Sequence, residues 1–140
     1  MDMAETETQV IPGAIRVLVV DDDYGVRRIV CNHLAMAGYA VASVSSGEAG
    51  IEAVKREPFS LVLLDIFMPD KDGLETFREM RKVSPDLKAV AMSGQQWYRG
   101  MDVLGWAQKL GASGVIAKPF ARKDLLAAVV AALEDQPINS

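Results

Sequence analysis

The chain has 140 residues, of which 50% are hydrophobic and 24% charged, the profile of one ordinary globular domain long enough to bury a core without staples. A formal net charge of −4 and a pI near 5.0 argue against nucleic acid or a membrane surface as direct partner, and a single cysteine, Cys31, excludes an internal disulfide framework and fits a reducing compartment. No run approaches the ~18 apolar residues of a membrane span, and the acidic, polar amino terminus is unlike a signal peptide, so the expected location is cytoplasmic.

Residues 1–13 are polar, lack periodicity and close on Pro12-Gly13, so they read as a flexible leader. Ile15 to Val20 is a β-branched run and the first strand. Tyr24 to Ala37 follows with helical spacing of Val26, Ile29, Val30 and Leu34, with Arg27 and Arg28 outward, and stops at Gly38. Tyr39 to Val44 is a second strand, Glu48 to Lys55 a helix halted by Pro58, and Ser60 to Leu64 a third strand. Asp72 caps a helix running to about Lys82, which Ser84-Pro85 breaks. Leu87 to Met92 is a fourth strand, residues 101–110 a helix closed by Gly111, and Ser113 to Ala117 a fifth strand. Lys123 to Leu133 is the last helix, with Leu125, Leu126, Val129, Val130 and Leu133 on one face. A polar tail, 134–140, follows the single domain 14–133.

Five strands alternating with five helices predict an α/β fold, a doubly wound parallel sheet with helices on both faces. Val17-Leu18-Val19-Val20 and Leu61-Val62-Leu63-Leu64 are apolar at every position, as central strands covered on both sides must be. In such sheets the site lies beyond the carboxyl ends of the strands. There the first strand delivers Asp21-Asp22-Asp23, the third Asp65, the fourth Ser93-Gly94 and the fifth Lys118-Pro119. Carboxylates packed together resist ionisation unless a cation neutralises them. An all-oxygen donor set with room for water suits Mg²⁺, with Mn²⁺ as the alternative. An aspartate beside such an ion can act as a nucleophile toward phosphorus. Phosphoryl transfer is mainly positioning and charge neutralisation; Lys118 and the metal would supply the positive charge, and Ser93 a hydrogen bond.

Over roughly residues 14–133 these motifs resemble bacterial response-regulator receiver domains of two-component systems, the CheY-like superfamily. The carriers are the acid pair Asp21-Asp22 after an apolar strand, Asp65 followed by Met68-Pro69 and Asp72-Gly73, Ser93 in the hydroxyl position, and Lys118-Pro119-Phe120. The resemblance implies a flavodoxin-like sheet of order 2-1-3-4-5. It implies Asp65 as phosphoacceptor, and Asp22, Asp65 and the Phe67 backbone carbonyl as metal ligands, with Asp21 acting through water. It further implies a cis Lys118-Pro119 bond, a histidine kinase or histidine phosphotransfer protein as donor, and output by protein contact across the fourth helix, fifth strand and fifth helix. A stand-alone receiver, monomeric or weakly dimeric, that switches rather than turns over substrate is the expectation.

This sequence departs from the family's pattern at several positions. Val115 stands where Tyr or Phe is common, so a rotamer switch of an aromatic ring cannot operate as such. The span from Ser93 to Lys118 is longer than usual, with the extra length in residues 95–100. Lys71 replaces an apolar residue, and Ala121 a helix-capping one. None of these touches the phosphorylation chemistry; all bear on how a signal leaves the site, through Ser93, Val115, Trp97 and Tyr98.

Plainer readings stand beside these. Asp21 and Asp22 could be helix-dipole acids, Asp23 reads best as a helix cap, and Lys118 could be a snorkelling surface lysine. Ser93 could merely open a loop, Cys31 reads as a small buried residue, His33 as a partly exposed helix residue, and Trp106 as packing. Trp97 and Tyr98 read equally as a partner surface or as a rim over the site. Two other functions compete. A Mg²⁺-dependent phosphatase of the haloacid-dehalogenase type wants Asp-x-Asp, whereas Ile66-Phe67 follow Asp65. A non-phosphorylated pseudo-receiver or flavin-binding module would need a phosphate-cradling loop in the flavin case, where this chain has acids.

Overall fold

The computed structural model describes residues 13–68, 72–94, 97, 98, 101–109 and 111–134, with backbone alone at 97, 98, 101, 103, 104 and 106. The leader up to Pro12, Pro69, Lys71, the inserted residues Gln95, Gln96, Arg99 and Gly100, and the tail from Asp135 lie outside the described residues. In chain order the elements are β1 (Arg16–Val20), α1 (Tyr24–Met36), β2 (Ala40–Val44), α2 (Gly47–Arg56), β3 (Leu61–Asp65) and α3 (Gly73–Val83). There follow β4 (Lys88–Ser93), β5 (Trp97–Tyr98), β6 (Met101–Asp102), α4 (Val103–Lys109), β7 (Gly114–Ala117) and α5 (Arg122–Glu134).

Five strands form one parallel sheet in the order β2-β1-β3-β4-β7. With the short β5–β6 hairpin set aside, this is the expected 2-1-3-4-5. Alternation along β1 and β3 sends Val17, Val19, Leu61 and Leu63 to one face, where Val30, Leu34, Leu125 and Val129 of α1 and α5 cover them. Leu18, Val20, Val62 and Leu64 go to the other face, against Ile51, Val54, Phe77 and Met80 of α2 and α3. A smaller cluster of Ile66, Leu74, Ala91 and Ala107 lies under α4. The helix starts are set by side-chain oxygens: Asp23 accepts from the Val26 N–H at 3.1 Å, Ser46 from Ala49 at 3.1 Å and Asp72 from Glu75 at 2.8 Å. Gly38, at φ +99°, ends α1 in the left-handed conformation that a side chain resists.

Four expectations need correction. Residues 97, 98, 101 and 102 form an antiparallel hairpin, with Trp97 opposite Asp102 and Tyr98 opposite Met101. Residues 97 and 98, which the sequence assigns to no element, are therefore a strand, and the helix expected from 101 starts at Val103. Ile29 and Val130, placed on buried helix faces, are 56% and 45% exposed. Asp65 and Ser93 close their strands rather than following them, so their backbones are held in the sheet ladder. Among the described residues no helix is long and apolar enough to cross a membrane.

Candidate functional site

Four strands aim their carboxyl ends at one edge, and side chains from distant segments meet there. Asp65 and Ser93 are buried at the ends of β3 and β4, and Asp21 is wholly buried just after β1. Lys118 follows β7 with its side chain 20% exposed. Asp21 is bonded on every side. Its N–H donates to the Val44 carbonyl at 3.3 Å, its own carbonyl accepts Arg27 Nη1 at 2.8 Å, Oδ1 accepts the Asp23 N–H at 2.9 Å, and Oδ2 accepts Lys118 Nζ at 2.7 Å. The same ammonium lies 3.4 Å from Asp65 Oδ2, so it leans on Asp21 and is shared with Asp65.

The neighbouring backbone explains why these positions hold. Lys118 N–H donates to the Ser93 carbonyl at 2.8 Å, tying the ends of β4 and β7 together, and the Lys118–Pro119 bond is cis. Phe67, half-buried in the loop after β3, donates its N–H to Asp65 Oδ1 at 3.2 Å. Gly73 packs behind the loop. A Cβ there would press into the carbonyl of Asp65 and the Cα of Ile66, so the first turn of α3 can approach only without a side chain.

Burial pushes the Asp65 carboxyl above its ordinary range. The Asp21 charge adds to that push, while Lys118 and the Phe67 N–H pull back. Burial alone would lower the Lys118 ammonium, but its hydrogen bond to Asp21 and the charges of Asp65 and Asp21 outweigh that and raise it. One oxygen from each of Asp21, Asp22 and Asp65 lies within 4.8 Å of the others, and Asp22 is exposed. Three hard oxygen donors, of which Asp21 and Asp65 share one ammonium, leave a negative excess that a divalent cation fits, and the exposed Asp22 leaves a side open to water.

Ser93, Asp21, Asp22, Asp65 and Lys118 are thus brought together. Val115 is not at the edge: it sits half-buried in β7 against the cluster of Ile66, Leu74, Ala91 and Ala107. The side chains of Trp97, Tyr98 and Trp106 lie outside the described residues. Arg27, read as pointing outward, instead folds back at half burial onto the Asp21 carbonyl, with its guanidinium 5.5 Å from the Tyr24 ring centroid. The signal for it was the aromatic three residues earlier on the same helical face.

The model of the response regulator receiver domain matches residues 17–130. The chain is 34% identical over 111 residues to the response regulator receiver protein CpdR of Brucella abortus, covering 79% of this chain and 90% of that protein. Among solved structures it is similar to a CheY-like receiver domain protein from Methanospirillum hungatei, with a TM-score of 0.78, 29% identity, and 86% and 94% of the two chains covered. It is also similar to the BeF3-activated DrrB receiver domain, with a TM-score of 0.75, 27% identity, and 87% and 99% covered. Several other curated relatives are longer, and the matched region spans 46%, 32% and 51% of three of them.

Proposed function

The chain belongs to the response regulator receiver domain family of two-component signalling, and from that premise we propose that it is a switch thrown by phosphorylation of Asp65. The observation that carries the reading is the convergence of Asp21, Asp22 and Asp65 at one strand edge, with Lys118 between Asp21 and Asp65. Asp65 Oδ attacks the phosphorus of a phosphohistidine on a histidine kinase or phosphotransfer protein. The P–O bond forms as the P–N bond breaks, and the electron pair leaves with the imidazole nitrogen. Lys118 offsets the charge gathering on the phosphoryl oxygens, and the Ser93 hydroxyl donates to one of them. Asp22, Asp65 and the Phe67 carbonyl would hold Mg²⁺, or Mn²⁺ in its place, with Asp21 reached through water. When bound, the ion neutralises carboxylates and phosphoryl oxygens alike. The similarity to a BeF3-activated receiver domain supports a site sized for a phosphoryl-like group.

The working unit spans residues 14–133, flanked by the leader and tail, and acts in the cytoplasm as a monomer or weak dimer. It signals by protein contact through α4, β7 and α5 and is a switch rather than a turnover enzyme. With Val115 in place of an aromatic ring, Ser93 and the segment after it carry the change.

Intact mass after incubation with acetyl phosphate, with and without Mg²⁺, tests this on the parent and Asp65→Asn chains. A Mg²⁺-dependent gain of one phosphoryl group in the parent alone is expected. If cognate kinases and phosphotransfer proteins also leave the parent unmodified, the pseudo-receiver reading replaces this one.

A further inference from the structure

A second charged feature lies at the opposite end of the sheet. Arg78, Arg81 and Lys82 of α3 rim a groove of about 390 Å³ whose other walls are Phe77, Pro85 and Gly111. A second groove of about 350 Å³ shares Arg81, Pro85 and Gly111 and adds Lys88 and one carboxylate, Asp86. The two join into one trough. Arg81 and Lys82 would suit the last turn of any helix, where cations meet the dipole. The dipole does not account for Arg78 one turn earlier, or for the cavity beside them.

Three details show a surface arranged to receive something acidic. Among the described residues, none of Arg78, Arg81 and Lys82 forms an ion pair with a carboxylate, on a chain whose net charge is −4. Arg81 is held in advance: its Nε donates to the Pro85 carbonyl at 3.0 Å and its guanidinium stacks 5.3 Å from the Phe77 ring centroid. An arginine fixed in this way loses little freedom when a carboxylate engages its remaining N–H groups. Gly111, at φ +105°, has, among the described residues, Arg81 Nη1 and Phe77 Cε2 near the place of a Cβ, at 3.8 and 3.9 Å, and its bare backbone keeps that wall low.

We infer that this trough docks an acidic, partly apolar peptide segment of a partner protein, its carboxylates on the three cations and an apolar residue against Phe77 and Pro85. Register places it away from the phosphorylation chemistry. Leu61 pairs with Lys88 at the start of β3 and β4, and Asp65 lies four residues further on, ~13 Å at strand rise. A partner can therefore sit in the trough while the acid cluster is engaged.

The test is titration of the ¹⁵N-labelled full chain with a blocked Glu-Leu-Glu-Glu-Leu-Glu-Glu peptide, read by amide shifts. Saturable shifts confined to residues 77–88 and Gly111 are expected. Arg78→Gln/Lys82→Gln, which spares the structural bonds of Arg81, should weaken binding roughly fivefold or more, and added salt should weaken it further. The same variant should still gain its phosphoryl group from acetyl phosphate at the parent rate, so failure here is separable from failure of the switch reading. Equal shifts with a peptide bearing Lys for Glu, unchanged affinity in the variant, or no saturation would overturn the inference. Tighter binding of a peptide of residues 1–12 would overturn it in favour of the chain's own leader. Shifts that grow with protein concentration alone would do so in favour of a second copy.

Discussion

β3 and β7 belong to one sheet, yet they are built to different standards. Every residue of β3 is buried, Asp65 included, whereas β7 is half-buried for three residues and exposed at the fourth. β3 is sandwiched between two full clusters. The β4–β7 pair is backed by α5 on one face, but its other face meets the seven-residue α4 over a small cluster containing two alanines. The nucleophile candidate is thus mounted between two large clusters, and Ser93 and Val115 lie beside the smallest of the three clusters among the described residues, where local opening should cost least. A switch needs both: a fixed place for chemistry and a neighbouring element with two affordable arrangements.

Truncating Leu63 to alanine should show the largest difference between the two strands. It removes a side chain buried on all sides and should cost about 2–5 kcal/mol in urea unfolding. Val115→Ala, at a half-buried site, should cost under ~1.5 kcal/mol; equal losses would erase the contrast. Gly73→Ala comes next. Its methyl group meets the Asp65 and Ile66 backbone and should destabilise the fold by about 1–3 kcal/mol, with the melting temperature as readout. Ser93→Ala should still permit phosphorylation by acetyl phosphate but shrink the accompanying backbone shifts in α4 and β7, and identical shifts in parent and variant would remove Ser93 from the signal path.

The smallest effect concerns pH. Because burial raises the Asp65 carboxyl, the folded chain binds that proton more tightly than the unfolded chain does. The stability this contributes is full below the ordinary carboxyl value of 3.8 and is lost as pH rises through the raised one. In metal-free buffer the melting temperature of Asp65→Asn, whose amide does not titrate, should therefore gain on the parent across that window. A gap that narrows instead would mean that Lys118 outweighs burial.

What could be read in advance follows the same division. The unbroken apolar runs of β1 and β3 announced two-sided burial, and the acids after them announced a site, because both signals are local and strong. The hairpin of β5 and β6 was invisible, since two-residue strands leave no periodicity to detect. Ile29 and Val130 satisfied helical spacing yet face outward, because spacing marks a stripe and does not say how wide a neighbour covers it. Arg27 folds back onto a backbone carbonyl, a partner that side-chain patterning does not identify; the side-chain hint is Tyr24, one turn earlier on the same face. The hydrogen bond between Lys118 and Asp21 was inferable only as convergence at a strand edge; that the lysine leans toward Asp21 rather than Asp65 depends on ångström-scale geometry.

That hydrogen bond also joins residues 97 positions apart in the chain. Contacts of such separation must wait for the intervening strands to find their places. During synthesis, a chain that has not yet released residue 118 carries its three acids with no ammonium among them. If Asp65 is the phosphoacceptor proposed above, competence to accept a phosphoryl group would be among the last properties acquired, and a chain ending before Lys118 would stay silent to any donor.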